Sequence, residues 1–106
     1  MSFQLGAALL DACVLAVLTR GDTYGYVLTQ QVREVMNISE STLYPVLRRL
    51  QKDMYVITYD QAFQGRNRRY YQITDLGREK YKEYTSDWNN YKMNIDKILL
   101  GGLVDG

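Results

Sequence analysis

Histidine is absent from this chain. That excludes serine–histidine and cysteine–histidine nucleophiles and every histidine-ligated metal site. Cysteine occurs once, so no disulfide can form within the chain. Cys13 stands among Leu9, Leu10, Val14 and Val17 and reads as a small buried hydrophobe rather than a reactive thiol. Long apolar runs are also missing. The longest, Ala7 to Leu18, is interrupted by Asp11 and has no basic region before it. It falls short of the roughly 20 residues that span a bilayer and does not resemble a signal peptide. The glycines fall singly or at the tail, so no phosphate-cradling loop is present. The acids mostly neighbour bases on helix-like surfaces and read as solvated charge. These absences argue against an enzyme, a metal, a cofactor or a membrane partner, and the expected compartment is the cytoplasm.

What remains suits a small folded unit. The chain has 106 residues, enough for one domain, and 46% of them are hydrophobic, which rules against disorder. A core this small gains from oligomerisation. The net charge of +1 does not by itself point to nucleic acid, but its distribution does. Residues 38–71 carry six bases against three acids, whereas the rest of the chain carries seven against nine.

Helical spacing predicts a largely buried first helix from about Leu5 to Thr19. A second should run from an N-cap at Thr23 to about Val35 or Met36, with Val27, Leu28, Val32 and Val35 inward. Asn37 and Ile38 form a short turn. A third helix, capped by Ser39, runs to about Asp53. The apolar period then shifts towards two. Tyr55–Tyr59 reads as a strand, Phe63–Asn67 as a turn and Arg68–Ile73 as the returning strand. From Thr74-Asp75 a long helix reaches about Leu100, stopped by Gly101 and Gly102. The fold class is therefore mainly α with a small β-hairpin. Residues 1–74 form a winged helix-turn-helix DNA-binding domain. Residues 75–106 form a C-terminal dimerisation helix and short tail, the whole being one compact unit.

The only proline lies inside the third helix. On a wheel of about 100° per residue with Leu43 at zero, Leu47, Leu50 and Val46 fall within about 60° of it. Ser41, Pro45, Arg48 and Lys52 fall on the opposite side, flanked by Tyr44 and Arg49. Pro45 thus points outward and frees only the carbonyl of Ser41, close to the helix start. Its ring is either a tolerated kink or a rigid surface for a thymine methyl or sugar. Arg48 and Lys52 suit phosphates or guanine edges. Ser41, Thr42 and Tyr44 suit phosphates near the helix N-terminus. In the hairpin, Gly65 precedes Arg66, Arg68 and Arg69, a density of charge that suits the phosphate backbone or minor groove. Tyr70 and Tyr71 must face opposite ways. Either both pack, or one packs and the other reaches a phosphate through its hydroxyl.

On the long helix, Tyr81, Tyr84, Trp88, Tyr91, Ile95 and Ile98 recur at heptad spacing. A helix from Asp75 to Leu100 extends about 39 Å, too long for one small domain to cover. A second copy is the simplest cover. A two-fold homodimer presents two recognition helices to double-stranded DNA, and so reads a pseudo-palindromic operator with half-sites about 34–36 Å apart or a multiple of it.

The stretches "LLDACVLAVLTRGDTYGYVL", "ISESTLYPVLRRLQKD" and "GRNRRYYQITDLG" together resemble the PadR family, the phenolic-acid decarboxylase regulator-like transcription repressors. The likeness covers about residues 8–100. It implies that Ser41, Thr42, Tyr44 and Pro45 start the recognition helix and that Arg66, Arg68 and Arg69 form the wing. A glycine often follows the Lys-Asp pair in that family, whereas Met54 stands there in this chain. The single C-terminal helix resembles the short subfamily. Some of its drug-sensing members hold flat aromatic compounds between the tryptophans of two subunits, and Trp88 resembles that tryptophan in its place. The resemblance implies a dimeric repressor released by a small planar aromatic effector, with Trp88, Tyr84, Tyr91, Leu9 and Asp11 around it. The alternative for Trp88 is packing of the seam alone. For the whole chain, the alternatives are a winged-helix protein-interaction module or chiefly a ligand sensor.

Overall fold

A computed structural model describes residues 7–101 of the chain. Helix α1 (Ala7–Thr19) is apolar almost all round, yet only one side is covered. Leu10, Val14, Leu15 and Leu18 lie in the core, while Leu9, Ala12, Ala16 and Val17 remain half-exposed. The expectation was a largely buried helix and a buried Cys13. Cys13 is instead half-buried, and burial pushes its thiol pKa up, away from reactivity. Leu5, the expected start, lies outside the described residues, as does Gly102.

The second helix starts later than its capping pattern predicts. Thr23 and Tyr24 form a short strand β1 (Thr23–Tyr24), paired with Tyr71 and Tyr70, and α2 (Gly25–Arg33) follows. A β-branched and an aromatic residue fit an extended ladder beside two tyrosines better than a first helical turn. Tyr24, not Thr23, holds the N-cap position, and its side chain makes no capping bond. Leu28 and Val32 are buried as expected. Val35, expected inward, lies beyond the helix end and is 78% exposed; Met36 and Ile38 pack against the core instead.

Helix α3 (Glu40–Lys52) begins where Ser39 accepts the Thr42 N–H on its Oγ at 3.3 Å. Its end is a Schellman motif. Tyr55 N–H donates to the Leu50 carbonyl at 3.0 Å, and Met54 N–H to Gln51 at 3.1 Å. Met54 takes φ 66° to close it, a left-handed conformation that disfavours any residue with a Cβ.

Strands β2 (Val56–Phe63) and β3 (Arg66–Ile73) are longer than the expected segments and pair antiparallel throughout, from Val56 opposite Ile73 to Phe63 opposite Arg66. The expected five-residue turn shrinks to Gln64 and Gly65, with φ 52° and 79°. Two positive φ values make the turn whose twist matches a two-residue hairpin. Polar residues near the tip hid the strand ends, because an exposed ladder carries no apolar alternation. With β1 the sheet order is β1-β3-β2.

Helix α4 (Asp75–Leu99) is fastened to this frame at its first turn. Thr74 Oγ1 accepts the Gly77 N–H at 2.9 Å and donates to the Met54 carbonyl at 2.7 Å, while Thr74 N–H bonds the Tyr55 carbonyl at 3.0 Å. Gly77 is where α4 crosses the Tyr55 backbone: a Cβ there would stand 2.1 Å from the Tyr55 oxygen. Beyond Tyr84 the helix leaves the domain, and the molecule measures 64 × 27 × 21 Å.

Two substitutions around this junction should move stability in opposite directions. Met54→Gly relieves a left-handed conformation without emptying the core, and should raise stability by about 0.5–1 kcal/mol. Gly77→Ala forces a methyl onto backbone and should lower it by about 1–3 kcal/mol. Urea unfolding of the two proteins measures both.

Candidate nucleic-acid interface

Leu43, Val46, Leu47 and Leu50 are buried on one side of α3, and this fixes what the other side presents. Ser41, Thr42, Tyr44, Pro45, Arg48 and Lys52 are all exposed there. The hydroxyls of Ser41 and Thr42 lie 2.9 and 3.0 Å from Ser39 Oγ, so the helix start carries a cluster of three hydroxyls. Pro45 sits within the helix on the exposed side, where its ring displaces no core side chain.

The wing does not offer its arginines as one patch. Strand alternation places Arg69 with Tyr71 and Ile73 on the face towards the core and α3. Arg69 Nε lies 3.7 Å from Asp60 across the ladder, both exposed. The phenol of Tyr71 is raised in pKa, first by burial, with Arg69 and Arg48 acting against it. Its electrostatic neighbourhood also includes Tyr44, so Tyr71 lies near the exposed side of α3, on the strand face it shares with Arg69. Gln51 on α3 donates to Thr58 of β2 at 3.4 Å and helps hold wing to helix.

Arg66 and Arg68 belong to the opposite face. The guanidinium of Arg68 lies 4.3 Å from the Tyr24 ring centroid and 4.1 Å from that of Phe63. Tyr70, on the same face, stacks on Tyr59 at 5.5 Å and meets Tyr24 edge-on at 5.6 Å. Tyr59 donates to Asp22 at 2.8 Å, beside Gln72 at 3.0 Å. Of the two adjacent tyrosines, Tyr71 packs against the core and Tyr70 builds this outer aromatic cluster. Arg68 is thus part of a cation–π stack that sequence spacing did not reveal, since its partners come from two other strands.

A second feature lies between α1 and α4. A cleft of about 390 Å³ is lined by Leu9 and Ala12 on one wall and by Tyr84, Asp87, Trp88 and Tyr91 on the other, with Ala8 at its edge. Trp88 and Tyr91 rings lie 6.2 Å apart. Asp11, expected in this lining, is instead turned into the core at 6% exposure, where it pairs with Arg49 and accepts from Tyr84 at 3.3 Å. Burial raises its pKa, and the Arg49 guanidinium pulls the other way. Tyr84 is pushed up to about 12, first by burial and then by the Asp11 carboxylate. Asp87, absent from the expected set, supplies the carboxylate of the cleft wall. Its position one residue before Trp88 was the available clue. Of the heptad stripe, Tyr81 and Tyr84 pack on the core and Ile95 is half-buried, while Trp88, Tyr91 and Ile98 stand 42%, 45% and 65% exposed.

Comparison with known proteins agrees with this fold. The model of the family described as "Transcriptional regulator PadR-like family" matches residues 14–83. "Uncharacterized protein X" of Lysinibacillus sphaericus is 34% identical over 97 residues, spanning 87% of this chain and 89% of that relative. A crystal structure of smu.1704 from Streptococcus mutans is 42% identical, with a TM-score of 0.87 over 95% of each chain. The crystal structure of a PadR-like transcriptional regulator from Bacillus cereus is 30% identical, with a TM-score of 0.79 over 86% of this chain and 91% of that one.

Proposed function

The chain belongs to the PadR-like family of transcriptional regulators, and we propose that it works as a homodimeric repressor. In this reading it binds a pseudo-palindromic operator and is released by a planar aromatic effector. Membership carries the general part: the protein is a transcriptional regulator rather than an enzyme, and DNA binding follows from that class. Among the described residues no helix is long and apolar enough to cross a membrane.

The observation that supports the DNA mode is the exposed side of α3. Tyr44, Pro45, Arg48 and Lys52 lie opposite a fully buried leucine stripe, and Arg69 is on the wing face that turns Tyr71 towards them. A helix so held can enter a major groove with Arg48 meeting a guanine edge, while Lys52 and the hydroxyls of Ser41 and Thr42 meet phosphates. The wing flanks the groove. Arg69 serves the side next to α3, and Arg66 and Arg68 serve the far side.

The dimer rests on the outer half of α4. Trp88, Tyr91, Ile98, Leu99 and Leu100 form an exposed apolar run on a helix that leaves its own domain. Apolar surface of this kind marks an association site. A second copy covering it brings two clefts and two tryptophans together at the two-fold axis. The cleft volume falls in the usual range for small-molecule sites. Its aromatic wall on α4 suits a flat ligand, and Asp87 favours a cation.

Selection of bound sequences from random DNA by the purified protein should return a two-fold symmetric site. On that site, replacing Arg66, Arg68 and Arg69 with alanine should weaken binding to every sequence. The log–log salt slope should flatten by about 0.9 for each lost phosphate contact. Arg48→Ala should instead cost about 1–3 kcal/mol at one base position. A uniform loss over all sequences would make Arg48 a phosphate contact. For the dimer, Ile98→Glu with Trp88→Glu should give a monomer by sedimentation that keeps its helical content and loses operator affinity. A dimer that survives both changes would move the seam to α1.

A further inference from the structure

Three helices meet at one buried carboxylate. Asp11 of α1 takes Arg49 of α3 on Oδ1 and Tyr84 of α4 on Oδ2. The two partners differ in what else they do. Tyr84 forms part of the wall of the α1/α4 cleft, and Lys80 Nζ sits 5.1 Å from its ring centroid. Arg49 directly follows Arg48, and consecutive side chains on a helix are fixed about 100° apart. A pull on Arg49 that shifts α3 against its packing therefore carries Arg48 with it.

Stability does not account for this node. Burial raises the Asp11 carboxyl above its ordinary value in spite of Arg49 beside it. Ionisation there works against the burial, and apolar side chains of similar size often hold packed helices together as well as a buried ion pair does. What the node adds is a particular arrangement: one hydroxyl, one carboxylate and one guanidinium, with the middle member shut away from water.

We infer that Tyr84–Asp11–Arg49 is the link through which an occupant of the α1/α4 cleft changes the set of α3 on DNA. The inference rests on the effector reading above and names its route. A flat ligand lying on Trp88 displaces the Tyr84 ring and draws its hydroxyl from Asp11. The carboxylate then keeps Arg49 as its only partner. Arg49, with a side chain 41% exposed, has room to re-seat around it. Tyr84 and Asp11 are positioning residues; neither lies on the exposed side of α3. The link transmits only to the extent that the node differs between the occupied and DNA-bound forms.

The test uses the whole protein, the operator it selects from random DNA, and rhodamine 6G as a planar cationic probe. Quenching of Trp88, the only tryptophan, reports occupancy of the cleft. In the wild type, saturating rhodamine 6G should lower operator affinity by a factor in the range of about 5 to 150. Tyr84→Phe keeps the ring and loses one oxygen. It takes the hydroxyl from Asp11 as the ligand does, so operator affinity without the probe should already fall towards that of the occupied wild type, and the release factor should fall towards one. A Tyr84→Phe protein released as fully as the wild type overturns the link. If rhodamine 6G fails to bind the wild type, or binds without releasing DNA, the effector reading is what fails for this probe. The link is then judged without ligand, from operator affinities of Tyr84→Phe, Arg49→Lys and the double variant. A double variant that departs more than about twofold from the product of the single effects supports the link. Agreement with the product within that margin overturns it.

Discussion

Removing Leu43, Val46, Leu47 and Leu50 from water holds α3 in place, each side chain contributing roughly 1.5–3 kcal/mol. α1 and β2 are its neighbours. Because an α-helix has a fixed angular step, the orientation of this stripe dictates the orientation of every polar residue on α3. Pro45 is admissible only on that account. On the buried side its ring would occupy the place of a leucine; on the exposed side it costs little more than one freed carbonyl close to the helix start. The same burial sets the wing, since β2 leaves α3 through the Schellman turn at Met54 and returns as β3 alongside it.

Helix α4 is divided between two environments. Its first turns are tied down by Thr74, by the close approach at Gly77 and by Tyr81 and Tyr84 against the core. From Trp88 onwards the described residues leave most of its apolar side exposed, Ile95 alone being half-buried. Tyr84 stands at the division, with its ring in the cleft wall and its hydroxyl on a core carboxylate. One helix thus carries both the close backbone approach at Gly77 and the exposed apolar residues from Trp88 to Leu99.

Much of this was legible in the residues. The angular separation of Leu43, Val46, Leu47 and Leu50 from Ser41, Pro45, Arg48 and Lys52 follows from helical geometry alone. Ser39 behaves as the cap its chemistry suggests. The heptad stripe marks α4, although only its inner members are packed on the core. What escaped was non-local. Thr23 and Tyr24 look like a helix start until Tyr70 and Tyr71 arrive beside them from nearly fifty residues away. Asp11 looked like a break in an apolar run, and its pairing with Arg49 and Tyr84 depends on packing that no local spacing encodes. The three wing arginines are crowded in sequence, and Arg66 lies in a polar tip that shows no strand alternation of its own. Once β3 begins at Arg66, alternation separates Arg69 from Arg66 and Arg68.

The two-residue turn at Gln64-Gly65 makes the wing a ruler with discrete marks. Lengthening one strand alone creates a bulge and sends every side chain beyond it to the wrong face. Lengthening both by one residue leaves the base of the wing untouched and advances the tip by about 3.4 Å. Each such step also reverses the face on which the outermost charge lies. Reach along a duplex and the side from which charge is offered are therefore not independent variables in this architecture: a longer wing presents its newest arginine to one flank or the other according to whether the added pairs are odd or even in number.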